Sequence, residues 1–476
     1  VCTSSLAPDA RDEYVALYGE GGSCWGVDLQ RWATCRESCR QALDAVNLAA
    51  ELTGQYCGTC QSDADCSEFG VGATCAEDYC LPGDPIAGES GGEHSGDGDG
   101  DGDDPWEAIE AVSILLVVDN SGSMGGIQRV LAENVYSMVE PLESAGIPWR
   151  LGITTTDSAN PWCPSGTFSS EEGRLVLSSC RTRLTDFLFN QAQVNVQAHT
   201  CTDICNLDEL STIPTLMAID PTPASRPWIE SDGAGITNLL GEPSLAAALA
   251  CTVPQGINGC GFESQLESAQ LALARAHSKD EEQYAFVEEG RLLAIVFVSD
   301  EADCSDNPDF ASIFEADGGK TFWSDPSAQF PTSAVCWNAG VQCVGDPSGY
   351  DACNPVNLDL NGNKTSEPQL AVMTPVQEFI EDFAAGPVVA FGILGVAADG
   401  QPRYANTDPE AQDTWGIDPG CTGTNAWGPV EAIPPVRMWK VMQELGPKGG
   451  QAAYSICADA FGSGLQQIGA MIASYF

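Results

Sequence analysis

Asp119, Ser121 and Ser123 stand at alternate positions in "LLVVDNSGSM", and a second acid, Asp300, closes the run "RLLAIVFVSD" far downstream. Two carboxylates and two hydroxyls, with no nitrogen or sulfur among them, make a hard-oxygen donor set suited to Mg²⁺, with Mn²⁺ or Ca²⁺ as alternatives. Gly122 between the serines permits a tight turn, so both hydroxyls can face one point. An ion held by so few protein charges stays electrophilic and wants an acidic oxygen from outside.

Other chemistries find less support. "GGKT" at Gly318–Thr321 has the end of a phosphate-binding loop, but Phe314 occupies the place of its first glycine, and neither a buried strand before it nor a helix after it is expected. The G-x-S-x-G match at Gly88–Gly92 falls in a linker, not at a strand-to-helix elbow. His94, His199 and His277 form no H-E-x-x-H arrangement. The sequence is therefore read as that of a non-enzyme.

The elements that must position the four oxygen donors follow from the apolar pattern. "AVSILLVVD" is a continuous apolar run ending in Asp119, as expected of a strand buried on both faces of a parallel sheet. "IPWRLGITTTD", "RLLAIVFVSDEADC" and "GPVVAFGILGV" are further strands. Helical spacing marks "IQRVLAENVYSMVEPLESAG", "FESQLESAQLALARAH", "PVQEFIEDFAAG", "PVRMWKVMQELG" and "GLQQIGAMIASYF". Strands alternating with helices predict an α/β fold with a doubly wound, mostly parallel, Rossmann-like sheet over residues 111–476. Such sheets bind ligands beyond the carboxyl ends of their strands, where Asp119 and Asp300 fall.

Composition bounds the partners and the compartment. The 476 residues carry 19 basic and 68 acidic side chains, a net charge of −49, which excludes nucleic acid and disfavours anionic membranes. A field of that sign attracts divalent cations and basic partners. Twenty-one cysteines beside three histidines point to disulfides and an oxidising compartment, extracellular or at the cell surface. Twelve of the cysteines follow residue 100 and can pair completely, with Cys251–Cys260 and Cys421–Cys457 as candidate bridges; nine precede it and leave one over. Cys2 is the natural odd one. It would serve as the lipid anchor of an outer-membrane lipoprotein, although Val1 precedes it, or would enter an intermolecular disulfide, or would pair within the head and leave another cysteine free. No run reaches the roughly 18 to 20 apolar residues of a membrane span, and no leader is evident, so any signal peptide is expected to have been removed.

Three regions emerge. Residues 1–82 form a small Cys-rich head, helical at first and then a loop-rich, disulfide-stapled knot. Residues 83–110 are an acidic Gly/Asp linker. Within it Asp97, Asp99, Asp101 and Asp103 alternate like Ca²⁺-loop ligands, but neither register supplies both the glycine at position six and the acid at position twelve, so loose Ca²⁺ association and a solvated spacer both stay open. The sheet domain, residues 111–476, carries insertions over about 157–245 and 302–374, rich in Cys, Pro, Trp and Asp.

Asp119-x-Ser121-x-Ser123, set on a buried strand and answered by Asp300 at a second strand end, resembles the von Willebrand factor A domain with its metal-ion-dependent adhesion site. The resemblance spans about residues 111–476, including "GGQAAYSIC", which looks like the family's last strand. It implies that Ser121 and Ser123 ligate the metal directly, that Asp119 and Asp300 act largely through water, and that a threonine from a third loop adds a ligand. A carboxylate of a protein partner then completes the octahedron. Three departures are visible. Ser299-Asp300-Glu301 replaces the usual Thr-Asp-Gly; no threonine stands in "GINGCGFESQLE", so Glu263, or Thr237 from a longer excursion, takes its place; and Gly125 and Gly126 occupy the region of a second acidic pair found in integrins.

The expected function is metal-dependent capture of a partner protein through an acidic side chain, in a secreted or surface adhesion-type protein of the bacterial kind. The alternative is a structural subunit of an extracellular filament or coat, in which the same site serves self-assembly. The two insertions are read either as a crown shaping the ligand surface or as armour for a secreted protein.

Overall fold

The computed structural model describes residues 109–476, except 161, 164–169 and 190–192, together with two short paired strands, Thr74–Ala76 and Tyr79–Leu81. The expected N-terminal helix, the linker acids Asp97, Asp99, Asp101 and Asp103, and Cys2 lie outside the described residues. The chain divides into two compact units, Val1–Gly100 and Asp101–Phe476.

Six strands organise the second unit: β1 (Ala111–Val118), β2 (Trp149–Thr155), β3 (Ile229–Ser231), β4 (Arg291–Val298), β5 (Val388–Leu394) and β6 (Ala453–Ser455). They lie in the order β6-β5-β4-β1-β2-β3, parallel throughout except for β3, which runs antiparallel against the first half of β2. The central strands are apolar without interruption because both their faces are covered. Along β1, Val112, Ile114, Leu116 and Val118 enter one core while Leu115 and Val117 enter the other. The first core is closed by α1 (Gly125–Asn134), α2 (Tyr136–Ala145), α3 (Leu245–Thr252) and α9 (Gly462–Ala473). The second is closed by α4 (Gln265–Ala276), α6 (Val376–Phe383) and α8 (Val436–Leu445). Two shorter helices, α5 (Ala334–Gly340) and α7 (Pro409–Trp415), belong to smaller clusters beside the sheet.

The single helix expected over residues 127–146 is two, broken at Val135. Two side chains compete with the helical ladder there: Asn134 Nδ2 donates to Val130 O at 2.8 Å and Ser137 Oγ donates to Asn134 O at 2.7 Å. Met138 N turns to Val135 O instead. Gly146, at φ 73°, ends α2 in the left-handed conformation that glycine adopts most readily.

All twelve cysteines after residue 100 are paired, in six disulfides. Cys421–Cys457 forms as expected. Cys251–Cys260 does not: Cys251 bonds Cys205, and Cys260 bonds Cys163. The short loop between them carries the two residues into different clusters, Cys251 with Cys180 and Cys201, and Cys260 with Phe262 and Phe314. Both insertions leave the sheet at its carboxyl edge, after β2 and after β4. The first contains the edge strand β3; the second contains α5 and the hairpin Val341–Asp346/Gly349–Pro355, held by Cys304–Cys336 and Cys343–Cys353.

Candidate functional site

β1 and β4 are neighbours in register, Val118 opposite Val298, so the residues that follow them emerge side by side. Asp119 N still bonds Val298 O at 2.9 Å, and the chain then turns away through Ser121 and Ser123 into α1. Asp119, Ser121 and Asp300 are buried, and Ser123 is exposed. Asp119 Oδ1 accepts from Ser121 N at 2.8 Å, the two serine hydroxyls lie 3.1 Å apart, and Ser123 Oγ donates to Asp300 Oδ1 at 3.2 Å. The four residues singled out by spacing thus come together in one cluster that opens to solvent at Ser123.

The loop is held from behind. Gln128 Nε2 donates to Asp119 O and to Gly256 O, both at 2.7 Å, while its Oε1 accepts from Gln255 N and Gly256 N. Gly259 N donates to Asn120 O, and a β-carbon on Gly259 would meet Asn120 Oδ1 at 2.2 Å, so a larger residue there would have to displace the Asn120 side chain. Ser299 Oγ donates to Asp119 Oδ2 at 2.6 Å and is itself in hydrogen-bond contact with the Gln265 amide at 2.7 Å. Ser299, Gln265 and Gln128 were not legible as site residues. Ser299 stands next to Asp300 in the sequence, which is the one signal available; Gln128 and Gln265 carry none.

Glu263 sits just before α4, 2 % exposed, and its Oε1 has no hydrogen-bond partner. Its carbonyl accepts from Cys304 N at 2.7 Å, which ties its segment to the loop after β4. Thr237 is elsewhere. It bridges Ser231 of β3, which pairs with Trp149 at the start of β2, so it belongs to the opposite edge of the sheet from the serines and cannot supply the missing ligand. β3 runs antiparallel, and that reversal carries its neighbours away from the carboxyl edge.

The electrostatics are those of crowded acids. Burial raises the Asp119 carboxyl, opposed by hydrogen bonds from Ser299 and Ser121. Burial and then the Asp119 charge push Asp300 up to about 8, opposed by Ser123. Glu263 is raised well above the usual range by burial and by Glu301, Asp119 and Asp300; Glu301 is raised by burial, Asp300 and Asp119, opposed by a hydrogen bond with Trp415. No basic side chain figures among the groups acting on these four carboxyls. Carboxyls so placed favour the protonated form, and a cation binding among them would have to displace those protons.

Tested as a metal centre, the cluster has the right donor chemistry in its two facing hydroxyls and two carboxylates. Among the described residues no group of three or more His, Cys, Asp or Glu side chains is arranged to hold a metal, so any ion here depends on the serine hydroxyls. The surroundings come from the first excursion and from the hairpin Cys421–Asn425/Gly428–Ala432. Gly122 lies against Phe189 and Gly126 against Trp427, whose exposed ring stacks on His199 at 5.2 Å with the Arg129 guanidinium 4.9 Å from its centroid. Among the described residues no helix is long and apolar enough to cross a membrane. No family model, curated protein or solved structure matches the chain.

Proposed function

We propose that the protein is an extracellular or cell-surface module of the von Willebrand factor A type, which holds Mg²⁺, or Mn²⁺ or Ca²⁺, at Asp119, Ser121, Ser123 and Asp300 and binds a protein partner through the ion. One observation carries the reading: donors 177 positions apart in the chain are brought into contact, Ser123 Oγ to Asp300 Oδ1 at 3.2 Å, at the carboxyl edge of a parallel sheet. The exposed Ser123 leaves the ion a side open to the partner. Six disulfides are in keeping with an oxidising location.

The test is the double substitution Ser121→Ala with Ser123→Ala. The serines lie in a loop beyond the strands, so folding should survive while Mg²⁺ and Mn²⁺ affinity falls at least a hundredfold. Calorimetry showing the parent's affinity in the double variant would refute the site. A second reading, assembly into a filament or coat, draws on a group of exposed aliphatic side chains in the first excursion, Ile213, Ile219, Ile236 and Leu240.

A further inference from the structure

At the amino edge of the sheet, opposite the serine loop, a cavity of about 880 Å³ opens between α4, the loop that leads into β4 and the end of α6, with Ile219 of the hairpin Thr215–Met217/Asp220–Ala224 on its rim. Its walls are apolar: Leu273 and Ala274 of α4, Val287, Leu293 of β4, Phe383 of α6, and Pro387. Such a volume falls within the roughly 300–1,000 Å³ of small-molecule sites, which are mostly apolar with a few placed polar groups. Here those groups are acids. Glu289, Glu381 and Asp382 are exposed around the mouth, and among the described residues no ion pair neutralises any of them. Glu381 accepts from the Gln377 amide at 3.0 Å and Asp382 from the Gln270 amide, both neutral donors. Glu288, deeper in, is already held by Arg150 at 2.7 Å and by Ile219 N at 3.2 Å. The basic residues of the lining leave the mouth unanswered. Arg291 turns its guanidinium to β1, from Nε to Ser113 Oγ at 3.2 Å and from Nη2 to Val112 O at 3.1 Å. His277 Nδ1 lies 2.8 Å from Leu273 O, an oxygen that only accepts, so the neutral ring presents Nε2 as a further acceptor.

We propose that this cavity binds a small organic cation, an amine on an aliphatic or aromatic body. The body covers Leu273, Val287, Leu293 and Phe383, and the ammonium sits at the mouth among Glu289, Glu381 and Asp382, with the His277 ring as acceptor. An ammonium brings only donors, and the carboxylates at the mouth only accept. A carboxylate head would meet three acids without ion-pair partners in the field of a chain whose net charge is −49. A neutral ligand would gain apolar burial alone. The site shares no residue with the serine loop, and its ligand chemistry does not depend on the metal reading there.

Octylamine, octanol and octanoate carry one chain under three heads, and each is titrated calorimetrically into the full chain at neutral pH and physiological salt. One octylamine should bind per chain, at least tenfold more tightly than octanol, while octanoate does not saturate. Ala274→Trp, at an exposed position of α4, fills the cavity without touching its charges and should weaken octylamine at least tenfold. Glu289→Gln, Glu381→Gln and Asp382→Asn together, all at exposed positions, should bring octylamine to the level of octanol. Octanol or octanoate binding as tightly as octylamine overturns the proposal, as does the absence of saturable octylamine binding to the parent. Parent-level octylamine affinity in Ala274→Trp overturns it too, by leaving only the diffuse field of an acidic chain, and parent-level affinity in the triple variant shows that the three acids do not select the ligand and overturns it equally.

Discussion

Glu171 shows what burial does to a single acid near the end of β2. Its carboxyl accepts from Thr155 Oγ1 at 2.5 Å, yet burial pushes it up to about 7, with Asp157 adding to the rise and Thr155 opposing it. A carboxyl raised on folding stabilises the fold below its unfolded value near 4.5, and that contribution is lost as pH rises through about 7. Glu171→Gln keeps an acceptor for Thr155 and removes the titration. The variant should therefore match the parent near pH 4 and exceed it at pH 8 by on the order of 1–3 kcal/mol. Urea unfolding of both proteins across this range checks it, and parallel stability curves would show that Glu171 is not held protonated in the fold. At the site itself the same scale governs legibility. Asp119, Ser121, Ser123 and Asp300 were readable because their types and spacing announce oxygen ligation. Gln128 and Gln265 were not, because a glutamine becomes a positioning residue only through the loop it happens to meet.

Elements are joined to the site by buried ion pairing as well as by packing. Arg437, in the first turn of α8, donates from Nε to Asp303 Oδ2 at 2.7 Å and from Nη2 to Thr374 O at 2.7 Å, with both charged side chains buried. It thereby fastens the start and the end of the second excursion to a helix of the main core. Removing one member of such a pair strands a charge in a low dielectric. Arg437→Met should cost about 3–5 kcal/mol, and adding Asp303→Asn should restore most of that loss. Thermal or urea unfolding of the two variants measures the coupling, and a double variant no better than Arg437→Met would mean that the cost lies in the lost contact with Thr374 and not in the stranded acid. Element types were largely legible where periodicity was long, as in β1, β4 and α4. The edge strand β3 and helix α3 were not: β3 lies within the first insertion and α3 begins where it ends, among short apolar runs interrupted by Pro, Gly and Ser.

For the whole molecule the question is whether it works alone or in an array. Ile236 and Leu240, 58 % and 59 % exposed, are the kind of surface an assembly would cover, while a net charge of −49 opposes close approach of copies. Under the proposed function the chain should sediment as a monomer in EDTA and in Mg²⁺ alike at physiological salt, and Ile236→Ser with Leu240→Ser should change nothing. Mg²⁺-dependent growth in sedimentation coefficient, abolished by that double substitution, would favour the filament or coat.

The sequence by itself determined the α/β class, the strands that end in Asp119 and Asp300, and the oxygen chemistry of the loop, because these depend on local periodicity and on side-chain types a few residues apart. Tertiary structure decided which segments surround the serine loop and which cysteines pair. Glu263 reaches its place because the segment before α4 is tied to the loop after β4, and Thr237 is excluded because β3 turns antiparallel at the far edge. Cys251 and Cys260, nine positions apart, go to separate partners because α3 and the loop after it enter different clusters. Distance along the chain sets what can be near, but packing on the two faces of the sheet sets what is.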